Sequence, residues 1–122
     1  MNMIEVKTAE LSGAALDWAV AQIEAERNEE WCVVSRAISR TVFVIVEPDT
    51  GFNFSPSSDW SQGGPLIEEY RVAIDYRALS KTWDAYCSGW MNGCETPLIA
   101  ACRAIVAAKL GDTVQVPAEL LP

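Results

Sequence analysis

"TPLIAACRAIVAAKLG", Thr96 to Gly111, is the stretch in which most signals agree. Threonine supplies an N-cap oxygen. Proline suits the first helical position, whose N–H has no partner inside the helix, and glycine closes the far end. Between them Leu98, Ile99, Cys102, Ile105, Val106 and Leu110 form one broad apolar stripe, with Ala100, Ala104 and Ala107 opposite. Only Arg103 and Lys109 are charged. The spacing predicts a helix buried on more than one side, with alanines that let another backbone approach closely.

Working outward, a second helix is expected over Gly13 to about Arg27, with Ser12 as its cap and Leu16, Val20 and Ile23 recurring on one face. Trp18 lies nearly opposite Leu16. Val6 to Leu11 reads as a short strand or extended arm. Asn28-Glu29-Glu30 is a solvated turn. Trp31–Ser35 and Thr41–Glu47 are β-branched and read as strands, the second apolar on both faces and therefore central. Pro48-Asp49-Thr50-Gly51 is a turn signal, and Phe52-Asn53-Phe54 returns as a hairpin strand. Pro65, followed by Glu68 and Glu69, predicts a short helix beginning there. Val72, Ile74 and Tyr76 alternate as in a strand, whereas Leu79–Asn92 has no clean period. Val114–Val116 is a last short strand, and Pro117 begins a tail. "PLIEEYR" (65–71) and "PLIAACR" (97–103) echo one another as two helix starts, but their flanks do not repeat. Together these elements predict an α+β fold: a single domain over residues 1–122, with a small antiparallel or mixed sheet of four to six strands and two main helices.

Composition limits the chemistry. Half of the 122 residues are hydrophobic, which supports a packed core and argues against disorder. The net charge is −8 and the nine basic residues are scattered. That argues against nucleic acid as a partner, because phosphate contacts need clustered cations. Histidine is absent, which removes imidazole bases, Ser-His and Cys-His dyads and His metal ligands. Cys32, Cys87, Cys94 and Cys102 lack zinc-site spacing. Reduced, mostly buried thiols are expected, with a Cys94–Cys102 disulfide as the alternative. The apolar run from Pro97 to Leu110 is too short and too charged to span a bilayer. The expectations are a cytoplasmic protein with no membrane contact, no metal and no cofactor. No acidic pair, phosphate loop or nucleophile elbow supports catalysis.

Three features are candidates for a binding site. The first is "SPSSDWSQGG", Ser55 to Gly64, where Ser58, Asp59 and Gln62 offer polar groups, Gly63 and Gly64 permit close approach, and Trp60 is either a docked plug or one wall of a pocket. A helix opening at Gly64-Pro65 would aim its free N–H groups back at this loop. The second is Asp17-Trp18, where Trp18 packs on the alanine face of the last helix or faces Trp60 across a pocket. The third is Arg103, which either reaches an anion or pairs with Asp17 or Asp59. Five tryptophans in 122 residues exceed what a core this small readily buries, and favour binding.

"ELSGAALDWAVA" (10–21), "FSPSSDWSQGGPLIE" (54–68) and "TPLIAACRAIVAAKLGDTVQVP" (96–117) resemble the NinX-like proteins of tailed phages and prophages. Segments 28–51 and 71–95 depart from that pattern. The resemblance implies a small phage or prophage accessory protein working in the host bacterial cytoplasm. It brings no activity, cofactor or site residue with it. Two readings stand beside it: a pocket for a small polar or nucleotide-like ligand, or a module that binds a host or phage protein, including as a homo-oligomer.

Overall fold

The structure, a computed structural model, describes residues 2–46 and 50–122. Glu47, Pro48 and Asp49, and with them the expected Pro48-to-Gly51 turn, fall wholly or partly outside the described residues.

The fold is α+β. Its strands divide among three small antiparallel sheets where one sheet was expected. β1 (Met3–Lys7) pairs with β8 (Thr113–Pro117), so the two ends of the described chain run side by side with Ile4 opposite Val116. β2 (Trp31–Arg36), β3 (Thr41–Val46) and β4 (Thr50–Asn53) form one meander. β5 (Ala73–Arg77), β6 (Thr82–Tyr86) and β7 (Trp90–Cys94) form another. Strands β6 and β7 arise from the aperiodic segment 79–92. A bulge between Trp83 and Ala85 breaks the alternation there and turns Asp84 inward. Its carboxylate accepts from Arg77 Nε at 2.7 Å and from the Gly93 amide at 2.9 Å.

Helix α1 (Gly13–Arg27) and helix α3 (Pro97–Leu110) pack on each other at the centre. Both match their expected bounds. Leu16, Val20 and Ile23 are buried, and so are Ala15, Ala19 and Ala21 on α1 and Ala100, Ala101 and Ala104 on α3. The small side chains let two helices meet with little intervening volume. Sheet β5–β6–β7 covers a further side of α3, which accounts for its lack of a polar face.

Strand β3 is central in its sheet, as expected, but only one of its faces enters the core. Val42 and Val44 are buried, whereas Ile45 is 38 % exposed. The Arg36 guanidinium lies 3.9 Å from the Phe43 ring centroid, so a cation covers part of the outer face in place of a second layer. All four cysteines are free thiols; Cys94 and Cys102 are buried, Cys87 is half-buried and Cys32 is exposed.

Helix α2 (Trp60–Glu69) departs most from expectation. It begins five residues before Pro65, which therefore lies inside it. Asp59 is the N-cap: its Oδ1 accepts from the Ser61 amide at 2.9 Å and from Ser61 Oγ at 2.6 Å. A carboxylate cap that satisfies a first-turn N–H outweighs the start signal of a proline, which needs only a residue lacking a donor. The C-terminal ends of α1 and α2 are joined by a polar cluster. Tyr70 Oη donates to Glu24 at 2.5 Å, and Arg27 pairs with Glu69 and Glu24. Burial and the Glu24 contact push the Tyr70 phenol up to about 12.

Candidate functional site

The segment between β4 and α2 folds back on itself before the helix begins. The Ser58 and Asp59 amides both donate to the Ser55 carbonyl, at 3.1 and 2.9 Å. Gln62 fastens this turn from inside the helix: its Oε1 accepts from the Ser55 amide at 2.7 Å and its Nε2 donates to the Asn53 carbonyl at 2.8 Å. Gln62 is therefore committed to holding the loop. Gly63 is equally committed. A β-carbon there would meet the Pro56 carbonyl and come within 2.6 Å of Leu98 Cδ2, so the glycine is where α2 crosses the loop and α3. Gly64 has no such crowding.

Asp17 tethers the same loop from α1. Its Oδ1 accepts the Ser57 amide at 2.9 Å. The residue is 5 % exposed, and burial pushes its carboxyl up to about 6 against the opposing effect of the Ser57 hydrogen bonds. The Cys102 thiol is raised by its own burial and then by the Asp17 charge, which makes it a poor nucleophile.

Two clefts flank the tethered loop. The first, about 380 Å³, lies between the start of α1 and the β3–β4 edge. Gly13, Ala14, Asp17, Arg40, Thr41, Ser55 and Ser58 line it, with Phe54 at its base. The Ser12 side chain makes no capping bond, and Gly13 and Ala14 at the start of α1 line this cleft. Arg40 forms no ion pair among the described residues. The second cleft, about 280 Å³, lies between the starts of α2 and α3 and is lined by Ser57, Ser58, Trp60 and Thr96–Ile99. Trp60 is 57 % exposed there. Ser58 borders both clefts.

The residues expected at a site are thus partly assembled. Asp17, Ser58 and Trp60 meet around the loop. Asp59 borders it but is occupied with Ser61, whose hydrogen bonds hold its carboxyl below the usual range. Trp18 is half-buried, packs on the core and lines neither cleft. Arg103 lies apart: its Nε donates to the Leu11 carbonyl at 2.7 Å and Nη1 approaches Cys94 Sγ at 3.5 Å, so the expected pairing with Asp17 or Asp59 is replaced by a main-chain contact. The expected opening of a helix at Gly64-Pro65 is also corrected, since those residues are in its interior.

Arg40 is the cleft residue that sequence reasoning missed. It sits in the turn between two strands, and the β2–β3 pairing brings that turn to the start of α1. Chemically, the first cleft offers a guanidinium and the start of a helix to an anion, and a buried carboxylate to a donor. Ser55 and Ser58 have no neighbouring base beyond Asp17, which is turned toward Ser57. No group of three Cys, Asp or Glu residues that could hold a metal occurs among the described residues. Among them, too, no helix is long and apolar enough to cross a membrane.

The family model described as "Bacteriophage P22, NinX" matches residues 7–109, spanning both clefts, α1, α2, all but the last residue of α3 and both three-stranded sheets. No curated protein matches the chain. With most of its length covered by that one match, the chain belongs to the phage P22 NinX family.

Proposed function

We propose that this phage-family protein is an accessory factor that acts by binding without catalysis, taking a small polar or nucleotide-like ligand at the Asp17–Arg40 cleft. One observation carries this reading. A nearly buried carboxylate and a guanidinium that forms no ion pair among the described residues line the same cleft, and Ser58 links it to a largely exposed indole. An anionic group of the ligand fits Arg40 and the start of α1. A hydroxyl or amine of the ligand fits Asp17. A planar ring fits the Trp60 shelf, where stacking on a base is worth about 1–3 kcal/mol. Within an infected or lysogenic cell such a protein would sequester its ligand in the host cytoplasm.

Thermal-shift and calorimetric titrations with mononucleotides and cyclic dinucleotides test this. A ligand of this class should raise the melting temperature, and Arg40→Ala and Trp60→Ala should each weaken it while leaving the fold intact. No response from any of these compounds would remove the proposal. The second reading, a protein-interaction module, is favoured by a different observation: two aliphatic side chains, Ile38 and Leu79, stand fully in solvent.

A further inference from the structure

The turns β2–β3 and β5–β6 carry one design twice. Residues 36–41 read Arg-Ala-Ile-Ser-Arg-Thr, and residues 77–82 read Arg-Ala-Leu-Ser-Lys-Thr. In each, the fifth residue is left-handed: φ is 51° at Arg40 and 57° at Lys81. In each, the two hydroxyls meet at 2.7 Å, Ser39 with Thr41 and Ser80 with Thr82. In each, the third side chain, Ile38 or Leu79, is fully exposed. Each tip closes the first hairpin of a three-stranded antiparallel sheet that follows a helix. The chain therefore contains two copies of a helix followed by a three-stranded meander, α1-β2-β3-β4 and α2-β5-β6-β7.

A short hairpin loop closes through a left-handed residue, which accounts for the backbone of the tips but not for their side chains. Glycine or asparagine suits that position best, yet both copies place a cation there. An aliphatic side chain wholly in water adds nothing to the core. A fully exposed aliphatic side chain two residues before a cation, present in both copies while the surrounding sequence differs, points to contact with something outside the chain.

Charge selects the partner. The tips hold four of the nine basic residues and none of the 17 acidic ones. Arg36 lies over Phe43 and Arg77 pairs with Asp84 and Asp75, while Arg40 and Lys81 have no ion pair among the described residues. A bilayer of anionic lipid or a nucleic acid would attract the tips but repel the carboxylates over the rest of the surface. A second copy of this chain presents those carboxylates to the tips. We propose that the Ile38 and Leu79 tips are self-association contacts, each seating its aliphatic side chain against a second copy, with Lys81 pairing with that copy's carboxylates.

Sedimentation of the full chain across a concentration series, at low and at high salt, tests this. The wild type should form dimers or larger species that weaken as salt rises. Ile38→Ser combined with Leu79→Ser should weaken association by about tenfold or more, since two aliphatic side chains leave a buried contact. Lys81→Glu should weaken it at low salt and flatten the salt dependence. Circular dichroism and the melting temperature of dilute, monomeric protein should not change, because Ile38 and Leu79 are fully exposed in the monomer and Lys81 is exposed. A wild type that stays monomeric throughout overturns the proposal, as does association indifferent to these substitutions. A monomer that co-floats with anionic vesicles through Ile38 and Leu79 overturns it in favour of lipid.

Discussion

Helices α2 and α3 share Pro-Leu-Ile, at 65–67 and 97–99, and use it differently. In α3 the proline occupies the first turn immediately after its Thr96 cap, and Leu98 points into the core. In α2 the cap lies six residues ahead of the proline, and two glycines fill the turn between. The starts of both helices face one cleft. The difference shows that a cap oxygen fixes where a helix begins, whereas proline only tolerates a beginning. It also concentrates the constraints of α2 at its glycines.

The sharpest way to break this arrangement is Gly63→Ala. The new methyl would press on the Pro56 main chain as well as Leu98, and main chain yields less readily than a side-chain tip. A loss of about 3 kcal/mol is expected after a small gain in helix propensity, readable by chemical denaturation. The same substitution in α3 has no counterpart, because no glycine lies within it.

Asp17, which tethers the loop ahead of α2, gives the next largest effect. Its carboxyl titrates at about 6 when folded, against about 4 in an unfolded chain. The folded state holds the proton more tightly, so this group's contribution is most favourable below the unfolded value. Stability then falls as pH rises from about 4 to about 6 and stays lower above that. Asp17→Asn keeps an acceptor for the Ser57 amide and abolishes that slope. It should raise stability at neutral pH by about 2 kcal/mol, less than the full shift because the new NH₂ needs a partner. A retained slope between pH 4 and 6 in the variant would show that another group carries it. A destabilising carboxylate kept beside an open cleft is what ligand binding at that cleft would require.

How far these features were legible follows from their range. The bounds of α3 and α1 were readable, since apolar stripes and closing residues, and in α3 the Thr96 cap, act within a few residues. The start of α2 carried a readable signal too, because Asp59 precedes Gln62 by three residues as in a capping box. Pro65 was the more familiar sign, and Gln62 is in fact spent on Ser55 and Asn53. The polar, glycine-rich neighbours of Trp60 allowed either a docked plug or a pocket wall and did not decide between them; the ring is largely exposed. Arg40 and Arg103 were not readable. One reaches the cleft through strand pairing, and the other is captured by a carbonyl 92 residues away. Nor does local sequence say how strands divide among sheets; β3 reads as apolar on both faces, although Arg36 covers one of them.

The two prolines should respond with opposite sign. Pro65→Ala restores an N–H opposite the Ser61 carbonyl and removes ring crowding, and should stabilise by about 1 kcal/mol. Pro97→Ala loses only a preset φ and should cost about 0.5 kcal/mol. Thr96→Ala, which frees the Ile99 amide from its 3.1 Å bond, should cost about 1 kcal/mol. Thermal melts of the three variants side by side would rank cap above proline in α3, or reverse that order.

Gly64→Ala is among the smallest changes and the most discriminating, because it sits beside Gly63 in the same helical turn. A β-carbon at Gly64 meets only Trp60 Cε3, at an ordinary 3.9 Å. Replacing a helical glycine with alanine under those conditions removes unfolded-state freedom without strain, so a gain of about 0.5–1 kcal/mol is expected. The new methyl also rests against the Trp60 ring and narrows its rotamer choice. If Trp60 is a ligand wall, nucleotide affinity should respond to Gly64→Ala while the melting temperature of the free protein rises. If the indole is only a surface ornament of α2, the stability gain should come alone.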